Sequence, residues 1–194
     1  MSEETSEARL RSDARRNRRT VLDAAVTLLA QRPNATMQEV ADASGLGRTT
    51  VYRHFPRRQD LIDALFEEVL REAAETVDEA LASAGSAREL LCDLGDRVIA
   101  IGDRYRFLDA HPDVRDRTLA GENAMTPGEN PLERYLTEAQ QRGEVRSDLP
   151  VSWMLTTLRG LGVVAMVEVS AGRMTVEDAG RHVGETCATA FAAR

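Results

Sequence analysis

The stretch TMQEVADASGLGRTTVYRHF, residues 36–55, decides how this chain is read. Its first four residues, Thr36-Met37-Gln38-Glu39, fit a capping box: a Thr oxygen accepts from the backbone three residues on, and Glu39 reaches back. A short helix follows to about Ala43. Ser44-Gly45-Leu46 is then a tight break, because Gly45 tolerates the left-handed conformation that ends a helix sharply. The next helix covers about Arg48 to Phe55. Two short helices joined by a Gly-containing turn form the helix-turn-helix pattern. Its packing needs are met: Val40 and Ala41 face inward, Leu46 plugs the turn, and Val51 and Phe55, four apart, give the second helix its buried face.

Helical geometry then decides what points outward. Arg53 lies opposite the Val51/Phe55 face and Thr49 lies close to it. Thr50 and Tyr52 flank them, and Arg48 and His54 sit nearer the edges. Residues 46–55 contain no carboxylate, although the chain has a net charge of -7 and a pI near 5.1. Arg pairs with guanine O6/N7, and Thr meets a base edge or a thymine methyl. Tyr and His suit phosphate oxygens. The segment therefore reads as a recognition helix for the major groove. A solvated hairpin inside an all-α enzyme is the competing reading, and it requires none of the capping box, the Gly turn and the missing carboxylates.

The rest of the chain supports an all-α fold. The 194 residues are 42% hydrophobic and 29% charged, with 4% aromatics, and Ala and Leu, strong helix formers, are frequent. No period-two strand pattern stands out, whereas helical spacing recurs. A first helix is expected over about Asp13 to Gln31, carrying Val21, Leu22, Ala25, Leu28 and Leu29 on one face. Another begins near Arg58 with Leu61, Ala64/Leu65 and Val69. A second capping box, Ser86 to Glu89, opens a helix with Leu90, Leu94, Val98 and Ile101. Residues 112–130 read as a long loop. Asn130-Pro131 is a cap followed by Pro at the first helical position, and Gly143 ends that helix. Pro150 to about Gly172 is apolar nearly all round, and Thr175 starts a last helix.

All 25 basic residues are Arg. Residues 1–60 hold 11 Arg against 8 acidic residues, a net of +3, and residues 61–194 hold 14 against 24, a net of -10. This asymmetry suggests two jobs, and the expected division is a disordered tail over 1–10, a DNA-binding domain over 11–58, and a helical regulatory and dimerisation domain over 59–194. Arg11, Arg15, Arg16, Arg18 and Arg19 read equally as phosphate or minor-groove contacts and as a solvated helix start. The first eleven residues lack the apolar core of a signal peptide. Residues 151–169 are interrupted by Arg159 and Glu168, against a membrane span. A cytoplasmic location is the default expectation.

Residues 36–61 resemble the TetR family of bacterial transcriptional regulators. The resemblance rests on the helix-turn-helix run and its ending, Tyr52-Arg53-His54-Phe55 followed by Arg58 and Leu61; the family usually has Lys where this chain has Arg58. This run lies within a specific resemblance that covers about 50 residues in all. Beyond them only the length, the helical character and the turn over 142–149 agree. It implies a homodimer that binds a palindromic double-stranded DNA operator, usually as a repressor, and releases it on binding a small molecule in the larger domain. It also implies that Thr36, Tyr52, His54 and Arg58 hold phosphates, with Arg48, Thr49, Thr50 and Arg53 nearest the bases.

Within the larger half, the apolar helix and the last helix are expected to pair with their symmetry mates through Leu155, Gly162, Val163, Met166, Val176, Gly180, Val183, Cys187 and Phe191. Burial of the same residues inside a monomer is the alternative. Tyr105, Phe107, His111, Met125, Tyr135, Trp153, Met154 and Leu158 offer aromatic and soft apolar surface for a ligand pocket. The histidines are scattered and no nucleophile–base–orienter set is present, so no metal, cofactor or catalytic site is expected. Two further readings stay open: the same DNA-binding dimer without a small-molecule ligand, acting as an activator or under a partner's control, and an all-α enzyme or binding module with a fortuitous hairpin.

Overall fold

A computed structural model describes residues 2–111, 113–114, 116–117 and 130–193. Among them are eight α-helices and no strand, only an isolated bridge between Val145 and Ala192. The chain divides into two compact units, Met1–Glu68 and Val69–Arg194. The division falls inside a helix, beyond the expected boundary at residue 58.

The first unit holds α1 (Ser2–Gln31), α2 (Met37–Ser44), α3 (Arg48–His54) and the beginning of α4 (Arg58–Ser83). The helix of α1 thus includes residues 2–10, which the sequence assigned to a disordered tail. Its core follows the apolar spacing. Val21, Leu22, Ala25 and Leu29 of α1 are buried with Val40 and Ala41, Val51 and Phe55, and Leu61, Ile62, Leu65 and Phe66. Each such side chain contributes about 1.5–3 kcal/mol through its removal from water, which is what lets helices of eight and seven residues persist, since they are too short to be stable alone.

The second unit comprises the rest of α4, α5 (Ala87–Arg104), a short 3-10 turn (Arg106–Ala110), α6 (Pro131–Gln141), α7 (Val151–Ser170) and α8 (Val176–Phe191). The capping residues do what their chemistry dictates. Asn130 accepts from the amides of Leu132 and Glu133, and Thr175 accepts from Asp178. Ser86 accepts from Glu89, but Glu89 answers Gly85 and not Ser86, so that box is displaced by one residue. The expected loop over 112–130 lies mostly outside the described residues, of which 113–114 and 116–117 are helical.

The most intimate helix pair is α5 against α8. A Cβ added at Gly95 would lie 2.5 Å from the Gly184 nitrogen and 2.6 Å from the Gly180 oxygen. One at Gly184 would lie 2.7 Å from the Cys92 Cα. The backbones touch there, as only glycine permits. This corrects the expected role of the small-residue stripe: Gly180, Val183, Cys187 and Phe191 are buried against their own chain. Leu155 and Met166 are likewise in its core clusters, while Gly162, Val163 and Val176 are half-buried. Small residues license close approach but do not specify the partner, and α5 supplies a matching glycine. Burial pushes the Cys187 thiol up to about 11, in keeping with a small buried hydrophobe.

Helix α7 keeps much of its apolar surface uncovered. Trp153, Val164 and Val167 are 58%, 61% and 52% exposed. By length and composition it could cross a membrane, and little of it is buried within the chain.

Candidate nucleic-acid interface

The α2–α3 pair is built by short-range chemistry. Thr36 is the N-cap of α2: its hydroxyl accepts from the Glu39 amide at 3.3 Å, and Glu39 Oε2 accepts from the Thr36 amide at 2.7 Å. The Thr36 hydroxyl also donates to Glu39 Oε2 at 3.0 Å, and Arg32 holds the other carboxylate oxygen at 2.7 Å. The Thr36 backbone bond, then the Thr36 hydroxyl, then Arg32 hold the Glu39 carboxyl below its ordinary value. Gly45 ends α2 at φ 68°, and its amide donates to Asp42 at 3.3 Å. Ser44 Oγ accepts from the Leu46 amide at 3.3 Å. This turn sets the angle at which α3 leaves.

On α3, Val51 and the capping residue Phe55 are buried. Arg48, Thr49, Tyr52 and Arg53 are exposed, Tyr52 at 44%, and Thr50 is half-buried. Among the described residues the side chains of Arg48, Thr49, Tyr52 and Arg53 have no hydrogen-bond or ion-pair partner. Neighbouring arginines differ. Arg57 pairs with Asp60 at 2.7 Å, Arg32 with Glu39, and Arg18 with Glu67 at 3.7 Å. Arg19 engages Asp23 at 2.9 Å and also Glu68. Of the N-terminal arginines, Arg18 and Arg19 therefore join α1 to α4, and Arg16 faces Asp13 at 3.6 Å.

Of the residues expected at phosphates, two are engaged within the chain and a third is half-buried. The Thr36 amide and hydroxyl serve the cap. Arg58 donates from Nη2 to the Pro33 carbonyl at 2.8 Å and from Nη1 to the Ala35 carbonyl. His54 is half-buried, and its Nε2 is buried with no partner among the described residues. Burial, then the charges of Arg53 and Arg18, lower its pKa. Arg18 also lies over the Phe55 ring, 5.4 Å from its centroid. Sequence reasoning missed Asp60, whose carboxylate accepts from the Arg57 amide at 2.8 Å; an acidic residue three after Arg57 was the available signal. It also missed Glu67 and Glu68, whose partners are too distant in sequence to read.

The eight residues expected to line a ligand pocket are spread between core and surface. Tyr105 and Phe107 are buried side by side, 6.2 Å between centroids, and the Tyr105 hydroxyl donates to Glu72 at 3.2 Å. Met154 is buried in the larger core cluster, with Tyr135 and Leu158 packed on it. His111 is half-buried. Trp153 faces outward, a correction that follows from its place on the exposed side of α7. Met125 lies outside the described residues. Two open clefts, of about 320 and 400 Å³, lie in the first unit, and none of these eight residues borders either.

Residues 21–65 match the family model of bacterial regulatory proteins, tetR family. The transcriptional repressor LfrR of Mycolicibacterium smegmatis is 33% identical over 99 residues, 51% of this chain and 52% of its own, so the match spans about half of that relative's length. The fatty acid metabolism regulator protein of Bacillus subtilis is 25% identical over 143 residues, 68% of this chain and 72% of its own. Among solved structures, LfrR in complex with proflavine superposes with a TM-score of 0.66 at 23% identity, over 92% of this chain and 99% of the other. That last likeness speaks to the fold.

Proposed function

We propose that the chain, whose residues 21–65 match the family model of bacterial regulatory proteins, tetR family, is a homodimeric, DNA-binding transcriptional repressor whose hold on a palindromic operator is released by a small molecule. One observation carries the DNA-binding part. In an acidic protein, the outward face of α3 presents Arg48, Thr49, Tyr52 and Arg53 without partners among the described residues. An exposed guanidinium that has no carboxylate to answer it is available to guanine edges and phosphates. Arg48, Thr49, Thr50 and Arg53 read bases in this proposal, and Tyr52 holds a phosphate.

The dimer is proposed to form through α7. Trp153, Gly160, Val164 and Val167 fall on one helical face. Such a face is usually covered in a soluble protein. A two-fold partner would present two copies of α3 at the spacing of successive major grooves, about 34–36 Å. On this reading α7 meets a second copy and not a lipid, and the protein works in the cytoplasm.

The relative LfrR forms a complex with proflavine, which makes proflavine the first effector to try. The buried Tyr105–Phe107 pair beside Glu72 is the proposed place to look for its effect. The decisive experiment is a selection of genomic fragments by the purified protein, repeated with Arg53→Ala at the same salt. The expected result is an enriched inverted repeat that the variant loses or relaxes, at a cost of about 1–3 kcal/mol for one base contact. Equal enrichment by both proteins, or none by either, would remove α3 as the reading element.

A further inference from the structure

We infer that Arg58 is a positioning residue whose guanidinium acts on the protein backbone and not on a phosphate; the inference rests on the DNA-binding reading above. The Pro33 and Ala35 carbonyls that receive its two N–H groups lie in the loop between α1 and α2, immediately before the Thr36 cap. Arg58 itself is the first residue of α4, just after α3 ends. One side chain therefore joins the entry of α2 to the exit of α3, and the helix-turn-helix is held at both ends. The backbone on the α4 side is anchored as well, because Asp60 accepts from both the amide and the guanidinium of Arg57.

The chemistry suits arginine. Its planar fork holds two donors in fixed relation, matched to two carbonyls two residues apart, whereas a lysine ammonium places one mobile charge there. Ala35 is buried, and a carbonyl in such a loop needs a donor. With two arms of the fork turned inward, Arg58 sets the presentation of Thr36 and α3. The release of counterions falls to other arginines.

The test uses the full chain and two variants, Arg58→Met, which keeps the stem without donors, and Arg58→Lys, which keeps the charge without the fork. Operator affinity is measured across a salt series, and amide hydrogen exchange of α2 and α3 is measured on the free protein. The expected result for Arg58→Met is a loss of affinity of about tenfold or more, an unchanged slope of log affinity against log salt, and exchange at least tenfold faster. Arg58→Lys is expected to exchange faster than wild type despite its charge, and it carries the test if the Met variant does not fold. A slope reduced by about 0.9 per protomer, with unchanged exchange and full recovery by Lys, would overturn the inference and make Arg58 a phosphate contact. If the wild-type protein selects no DNA, the DNA-binding reading fails separately. Exchange alone then decides for Arg58: faster in the variants upholds the backbone tie, and unchanged overturns it.

Discussion

His54 is held half out of solvent between two cations, Arg53 and Arg18, and its Nε2 is buried with no partner among the described residues. Each of these conditions disfavours the imidazolium. The unfolded chain takes up a proton near the ordinary histidine value of about 6.5, but the folded protein resists doing so until a lower pH. Between those two values the unfolded state binds more protons, so stability rises with pH and falls as the solution is acidified. The wild-type thermal midpoint is therefore expected to drop from pH 7 to about pH 5, and His54→Gln to flatten that part of the curve. A parallel fall in both proteins would assign the effect elsewhere. The capping carboxylate adds a separate, more acidic limb. The Glu39 pKa is depressed, so its contribution is complete above the ordinary Glu value and disappears as pH falls through the lowered one.

At the scale of elements, α5 and α8 show how much depends on three glycines. Gly95 faces backbone atoms of Gly180 and Gly184, which cannot swing aside as a flexible side chain would. Gly95→Ala is expected to force the helices apart and to cost at least about 1–3 kcal/mol, the usual range for overpacking, despite alanine's better helix propensity. Urea unfolding checks this. An unchanged midpoint would mean that the pair has room the structure does not show. Elsewhere in this unit, Gln140 Nε2 donates to the carbonyls of Arg146 and Leu149, each at 2.8 Å, and the Arg146 amide donates to Phe191. The turn resembling the family's over 142–149 is thus a tie between α6, α7 and the end of α8.

At the scale of the whole molecule, charge and apolar surface are distributed differently from the sequence halves. The unit Met1–Glu68 contains 11 Arg and 11 acidic residues, and is neutral. The net +3 of residues 1–60 vanishes once Asp63, Glu67 and Glu68 are included, two of which answer Arg18 and Arg19. On the α3 face Arg48 and Arg53 keep no partner among the described residues, whereas Arg18 and Arg19 of α1 answer carboxylates, so the salt dependence of DNA binding should trace to Arg48 and Arg53 more than to Arg18 and Arg19. The uncovered apolar surface lies on α7, where the chain's one tryptophan offers a probe. The expected outcome is a dimer in sedimentation velocity with blue-shifted Trp153 emission. Val164→Glu should shift it toward a red-shifted monomer by placing a charge in an apolar interface. A wild-type protein that is monomeric at all concentrations would remove α7 as the dimer face.

Local chemistry alone determined the all-helical class, the α2–α3 pair and the outward set on α3. Capping boxes, a left-handed glycine and apolar residues four apart act over one or two turns, and one or two turns can be read from a sequence. Tertiary structure decided the rest. It directed the Gly180 stripe to α5 and not to a second copy, because a smooth helix face accepts any matching partner. It turned Arg58 toward carbonyls 25 and 23 residues earlier and buried the His54 nitrogen without a partner among the described residues, because what surrounds a polar group is whatever the fold brings within reach. It left one apolar face of α7 uncovered while burying the apolar face of α8, a choice that depends on which faces meet and not on how apolar each one is.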